Sequence, residues 1–342
     1  MRRAHSRYPA SQHAATASSH PALQGEGRIA EGNPGWGDGC AALDSAAAYA
    51  EPPPPAPGPL ARGDLPLPGG GENGATFAAN RARGRVSLAL AATPRGTKRT
   101  TIREDGSLRV RFPHAGAGPP EAVLVNTAGG IAGGDRFAVD VMLGAGAQLT
   151  VTTAAAEKIY RSLGPDACVD VAASLSEGAE LTWLPQETIL FDRARLARTI
   201  TIALAPAAKL LLAEMIVFGR SAMGETVHEG RIIDRWQIRR GGRLIFAESL
   251  RFDGRVACRL SEPAVAAGCT ALGAVLIVPS DDAAVAAVRA ASGRFRGEVG
   301  ISEWNDIALA RLVAGHGAAL RHDLVVLLSA VGRSALPRIW LN

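Results

Sequence analysis

Leu143-Gly-Ala-Gly-Ala-Gln-Leu-Thr150, Leu175-Ser-Glu-Gly-Ala-Glu-Leu-Thr182 and Leu204-Ala-Pro-Ala-Ala-Lys-Leu-Leu211 are three versions of one phrase, at spacings of 32 and 29 residues. In each, an apolar run ends on leucine, a short turn of small residues follows, and a second apolar run begins. Self-similarity at about 30 residues marks stacked units, each too small to bury its own apolar face. The units read as strand, turn, strand, which predicts a mainly β fold, a β-helical or solenoid-like stack, rather than a helical array.

The flanking segments agree. Ile200, Ile202 and Leu204 alternate with Thr199, Thr201 and Ala203, the period of a half-buried strand. Arg231 to Arg240, the turn Gly241-Gly242 and Arg243 to Phe252 read as a hairpin. In its second arm Leu244, Phe246, Leu250 and Phe252 share a face with Glu248, an edge position or a site residue. Helix signals come late. Ser280 reads as an N-cap, with Asp281 and Asp282 in the first turn of a helix over Ala283 to Ala291. From about Gly317 to Val331, Leu320, Leu324, Leu327, Leu328 and Val331 form a single helical stripe, ended by Gly332. The uncharged stretch from Pro263 to Ser280 holds two prolines and two glycines, so a buried strand over Leu272 to Val278 fits better than a membrane span.

The first 80 of the 342 residues differ in kind. They are rich in Ala, Pro, Gly, Ser and His, and include Pro52 to Pro55 in unbroken series. Such a segment buries too little apolar surface to offset its ordering entropy. It is expected to be a disordered tail, or a start extended too far, ahead of a single domain over 81–342. It has no apolar core of a secretory signal. Four scattered cysteines, none in a C-x-x-C pair, exclude a disulfide scaffold and a zinc finger, and point to reduced, mostly buried thiols in the cytoplasm. The net charge of +5 is scattered and aromatics make up only 5% of the chain, so nucleic acid is not an expected partner.

For chemistry, Asn126 to Arg136 (NTAGGIAGGDR) stands out. Its two Gly-Gly pairs form a shaped turn between strand patterns and present Asp135, which caps the turn or serves a site. The segment lacks the Gly-Lys-Ser/Thr of a phosphate loop and opens no helix. There is no G-x-S-x-G, and the histidines lack ligand spacing. Carboxylates remain: Asp135, Glu157, Glu187, Asp192 and Glu225. Paired acids on a β-solenoid could hydrolyse a glycosidic bond, although a sugar groove wants aromatics. Oxygen ligands could instead hold a divalent cation weakly and exchangeably.

Six motifs in order give a resemblance that covers about residues 83 to 342. They are NTAGGIAGGDR (126–136), TTAAAEKIYRS (152–162), LPQETILFDRARL (184–196), FGRSAMGE (218–225), DRWQIRRGGRLIFAE (234–248) and LPRIW (336–340). Together they resemble the urease accessory protein UreD family, called UreH in some bacteria. The second motif more often reads TTQAAEK there, and Ala154 replaces its glutamine here. The resemblance implies a β-helical fold with two helices and a non-enzymatic role in urease maturation. It implies binding to urease apoprotein and to a helical partner, UreF, which recruits the GTPase UreG, and delivery of Ni²⁺ through an internal channel. No tightly bound cofactor and no membrane are implied. Asp135, Glu187 and Glu225 are then the expected ligands of a transient nickel path, and Glu157, Arg161, Asp192 and Arg193 the expected partner contacts. Two bland alternatives accompany them: Glu157 pairs with Arg161, and Asp192 with Arg193 only shapes a turn.

Overall fold

Each copy of the repeated phrase turns the chain from one sheet into another. The computed structural model describes residues 80–113, 118–333 and 335–341, and the expected N-terminal tail lies almost wholly outside them. Seventeen strands are described: β1 (Arg83–Thr93), β2 (Gly96–Gly106), β3 (Leu108–Arg111), β4 (Glu121–Asn126), β5 (Arg136–Leu143), β6 (Gln148–Thr153), β7 (Glu157–Ile159), β8 (Ala167–Leu175), β9 (Glu180–Leu184), β10 (Thr188–Leu190), β11 (Arg195–Leu204), β12 (Lys209–Phe218), β13 (Glu229–Arg240), β14 (Arg243–Arg255), β15 (Ala271–Val278), β16 (Glu298–Trp304) and β17 (Ile307–Ala314). Three α-helices join them: α1 (Val256–Ser261), α2 (Asp282–Ala290) and α3 (Gly317–Val331).

The strands form two sheets. The first runs β14-β13-β11-β8-β5-β1-β2, and the second runs β16-β17-β15-β12-β9-β6-β4-β3, with β10 and β7 attached beside β12. The inner strands β1, β5, β8, β11 and β13 pair in parallel, as do β4, β6, β9 and β12. The chain therefore coils, passing alternately through the two sheets in about four turns, and the expected β-solenoid is the fold. Antiparallel β2 and β14 border the first sheet.

The phrase explains the corners. Ala147, Ala179 and Ala208 stack at successive turns and are essentially inaccessible. Each donates its N–H three residues back, to Gly144, Ser176 and Ala205. The rungs are tied as well, since Glu180 N donates to Ala147 O and Lys209 N to Ala179 O. A larger side chain has no room in such a stack, which is why the turn keeps alanine there.

Leu143, Leu175 and Leu204 enter one apolar core between the sheets. A second core lies on the far side of the second sheet, where Leu211, Ala213, Met215 and Val217 of β12 meet Leu320, Leu324 and Leu327 of α3. Strand β12 is thus buried on both faces, the reason its sequence is almost continuously apolar.

The hairpin, the strand over 271–278 and the helix over 317–331 lie where expected, and all five residues of the α3 stripe are buried. Three details differ. The N-cap of α2 is Asp281, which accepts from Ala283 N and Ala284 N; Ser280 lies one residue outside. Helix α1, six residues long, is too short to show a periodic stripe. Cys168, Cys258 and Cys269 are only half-buried.

Candidate functional site: an acid-lined space between the sheets

The three sites expected from the glycine, LPQET and FGRSAMGE motifs do not share one space. Asp135 is buried, and its Oδ1 and Oδ2 accept from the backbone N–H of Ala82 (2.8 Å) and Ala132 (2.7 Å). It caps the glycine turn and locks it to the start of β1. The glycines serve this packing: a Cβ on Gly133 would stand 1.9 Å from Ser162 Oγ, and one on Gly130 would stand 2.5 Å from the Tyr160 ring.

Glu187 faces the helix side, with Oε2 3.4 Å from Arg321 Nη1 on α3. Glu225 closes the 219–225 loop by accepting from Arg220 Nε (2.7 Å) and from Asp192 N (3.3 Å). The Arg220 contact, helped by backbone donors, outweighs burial and holds its carboxyl below the usual range. Arg220 in turn lies 4.2 Å over Phe191, Phe191 meets Tyr160 edge-on at 5.2 Å, and Tyr160 donates to Gly129 O. Four motifs are thus zipped along one corner of the coil by an aromatic and cationic ladder.

The expected partner contacts divide. Arg161 and Arg193 are exposed, whereas Asp192 is half-buried and accepts from His228 N and Glu229 N through Oδ1. Arg193 takes φ 61° at this turn. Glu157 does not pair with Arg161. It lies in an extended segment, where four residues span about 13 Å, and accepts instead from Asn126 Nδ2 at 3.0 Å.

The three glutamates after the repeated phrase are not equivalent. Strand pairing aligns Glu157 with Thr188 and Thr188 with Ile216. Glu187 is therefore one residue out of phase with Glu157 and faces outward, since a single-residue slip reverses the side of every side chain. Glu214, two residues before Ile216, returns to the inner side.

That inner side holds the polar cluster. Two neighbouring cavities lie between the sheets, and Glu214 lines both. The first also contains Glu157, Gln186, Thr188 and Arg198, and the second contains Asp234, Glu248 and Arg311. Asp135, Glu187 and Glu225 line neither.

Between the cavities Arg198 forks. Its Nε and Nη2 donate to Asp234 Oδ1 (3.0 Å) and Oδ2 (2.5 Å). Its Nη1 donates to Glu214 Oε2 (2.5 Å) and Thr188 Oγ1 (3.3 Å). Trp183 Nε1 donates to the other Glu214 oxygen at 2.9 Å. Arg198 and Asp234 are direct register partners on β11 and β13, while Glu214 reaches across from β12, so the triad ties the two sheets together.

Burial drives the Glu214 carboxyl upward against the pull of Arg198. For Arg198, burial alone favours the neutral form, but Asp234 and Glu214 outweigh it and secure the charge. At the second cavity Arg311 Nη1 donates to Glu248 Oε1 at 2.6 Å, and its 60% exposed side chain marks the way to solvent. Glu248 Oε2 and Gln186 Nε2 are buried with no hydrogen-bond partner among the described residues.

The signal for this cluster was in the sequence. Arg198 sits in the apolar phase of Leu196, Ile200 and Ile202, and Asp234 in that of Ile232, Trp236 and Ile238. A charge in the inward phase of a strand must be paired or functional.

Burial also raises the Glu157 carboxyl above its ordinary value, with the Asn126 bond opposing. The folded chain therefore holds this proton more tightly than the unfolded chain. Stability falls as pH rises from the ordinary carboxylate range toward the higher folded value, and the penalty persists at neutral pH. Glu157→Gln keeps an acceptor for Asn126 and is expected to raise Tm at pH 7.5. The gain over wild type should vanish below pH about 4, as read from paired melts across pH.

Among the described residues no three His, Cys, Asp or Glu side chains are grouped to hold a metal ion, and no helix is long and apolar enough to cross a membrane.

Fold and site together define a β-solenoid whose polar chemistry is internal, a guanidinium-bridged carboxylate cluster between two cavities. The family model described as UreD urease accessory protein matches residues 82–341, and the chain belongs to that family. It is 54% identical over 268 residues to the urease accessory protein UreD of Rhodopseudomonas palustris strain BisA53, covering 78% of this chain and 93% of that relative. The UreD of Bradyrhizobium diazoefficiens is 53% identical over 266 residues, covering 78% and 96%. UreD 3 of Bradyrhizobium sp. strain BTAi1 is 52% identical over the same length, with the same coverage.

Proposed function

We propose that this urease accessory protein is a cytoplasmic, non-catalytic scaffold that binds urease apoprotein and a UreF-like partner, reaches a UreG-like GTPase through that partner, and lets Ni²⁺ pass through its interior. It holds no cofactor tightly and takes neither nucleic acid nor membrane as partner. The observation that carries the reading is the charge between the sheets. The two cavities are lined by four carboxylates (Glu157, Glu214, Asp234 and Glu248) against two guanidiniums (Arg198 and Arg311). The surplus of two negative charges is what one divalent cation neutralises, and such a surplus lowers the cost of carrying a dication through a low-dielectric interior. Oxygen donors hold Ni²⁺ less firmly than imidazole or thiolate, which suits passage rather than storage. A glycosidase reading has less support, because the neighbouring acids Glu214 and Asp234 share one guanidinium and neither is free as acid or nucleophile.

The test is a deletion strain carrying Glu157→Gln with Glu248→Gln. Nickel per urease is expected to fall at least several-fold while the accessory complex still co-purifies with urease. Normal nickel content would reject passage and leave a docking platform. One observation favours that second reading: the oxygens of Asp135, Glu187 and Glu225 already engage structural partners.

A further inference from the structure

The two cavities meet at one fully charged crossing. On its first-cavity side stand Thr188 and Glu157, which are direct partners across β10 and β7. On its second-cavity side stand Asp234 and then Glu248 with Arg311. Arg198 fills the crossing. Its guanidinium engages both carboxylates at once, so neither Glu214 nor Asp234 offers a free pair of oxygens to a cation arriving from either side.

We propose that Arg198 is a displaceable internal counter-cation that closes the crossing, and that a divalent cation moves between the cavities only by taking Glu214 and Asp234 from it. This rests on the passage reading above.

Three physical points support it. The cluster holds two carboxylates against one guanidinium, so a net negative charge still draws a second cation to a crossing that is already filled. A guanidinium presents five donors in a planar fork, so Arg198 can release one carboxylate while the other and Thr188 still hold it. An acceptor lies on the exit side: Nη1 already touches Thr188 Oγ1, and Glu157 lies one strand beyond, about 4.8 Å away. On the other side, the unpartnered Glu248 Oε2 gives an arriving dication an oxygen before the crossing is reached. A monovalent ion brings no more charge than the guanidinium it must displace, so the device discriminates by charge.

The experiment uses the full chain co-produced with its accessory partners, and Ni²⁺ alone as the probe in equilibrium dialysis. Wild type is expected to retain Ni²⁺ weakly. Arg198→Lys, whose compact ammonium cannot fork across both carboxylates, is expected to bind one equivalent at least tenfold more tightly, and Arg198→Gln more tightly still. Adding Glu214→Gln and Asp234→Asn to Arg198→Gln should return binding to the wild-type level. Folding is checked by the strand signal in circular dichroism and a cooperative melt; should Arg198→Gln fail to fold, Arg198→Lys decides alone. A folded Arg198→Lys protein that binds Ni²⁺ no more tightly than wild type overturns the proposal. The Glu157→Gln, Glu248→Gln strain separates the two ideas. Reduced urease nickel there, without tightening in the Arg198 variants, removes the gate and keeps the passage. Unchanged urease nickel removes the passage, and the gate with it.

Discussion

Replacing Arg198 by methionine is expected to lower the unfolding free energy by about 3–5 kcal/mol, because Glu214 and Asp234 would be left buried without their counter-charge. In a domain of this size that is a fall in Tm of roughly 10 °C. The loss comes mainly from the stranded charges rather than from the bonds themselves. The combined change Arg198→Met, Glu214→Gln, Asp234→Asn is therefore expected to recover most of it, since replacing a whole buried ionic cluster with neutral residues is often neutral or stabilising. Thermal and denaturant unfolding of the two variants side by side decides the point. If the single change costs under about 1 kcal/mol, water reaches the crossing freely and screens the stranded carboxylates.

Removing the indole of Trp340 is the second large effect. The ring is 2% exposed, its Nε1 donates to Leu184 O at 3.0 Å and lies 3.3 Å from Thr152 Oγ1, and the Arg321 guanidinium stacks over it at 5.2 Å. Arg321 also donates to Ile339 O and Gln186 Oε1, so the C-terminal segment, α3 and the end of β9 are joined through these two side chains. Trp340→Ala leaves a large cavity and an unpaired carbonyl, and is expected to cost about 3–5 kcal/mol. Trp340→Phe keeps most of the volume and loses only the N–H bonds, so it should cost about 1–2 kcal/mol. Equal losses in the two would mean that the indole N–H, not the packing, anchors this end. A chain cut before Leu336 should melt as low as Trp340→Ala.

How far the sequence could be read follows from where its information is local. The phrase ending at Leu143, Leu175 and Leu204 repeats because each corner faces the same steric demand, so the coil was legible from alanine and glycine alone. The α3 stripe and the Gly241-Gly242 hairpin are likewise short-range patterns. Register is not. Glu157, Glu187 and Glu214 look alike in sequence, and only the pairing of β7, β10 and β12 shows that Glu187 points away from the other two. The motif acids Asp135 and Glu225 stand out because they shape turns, and turns carry the strongest sequence marks. Arg198, Glu214 and Asp234 each show as a charge in the inward phase of a strand, but they stand on three strands 16 to 36 residues apart, and only the two-sheet arrangement brings them together. Glu248 reads as an edge position or a site residue; β14 does border its sheet, and the side chain turns in toward Arg311.

A coil of parallel strands has no intrinsic stopping point, and an open end invites another chain to continue it. Here the first sheet stops itself. At one border β2 runs back against β1 and exposes Lys98, Arg99 and Arg103; at the other β14 runs back against β13 and exposes Arg243, Arg251 and Arg255. Glu104, Asp105 and Asp253 are exposed among them, so a second copy approaching either rim meets a row of mixed charge and the wrong strand direction for continuing the parallel series. The same hairpins that finish the sheet keep a fibre-like architecture to a finite length.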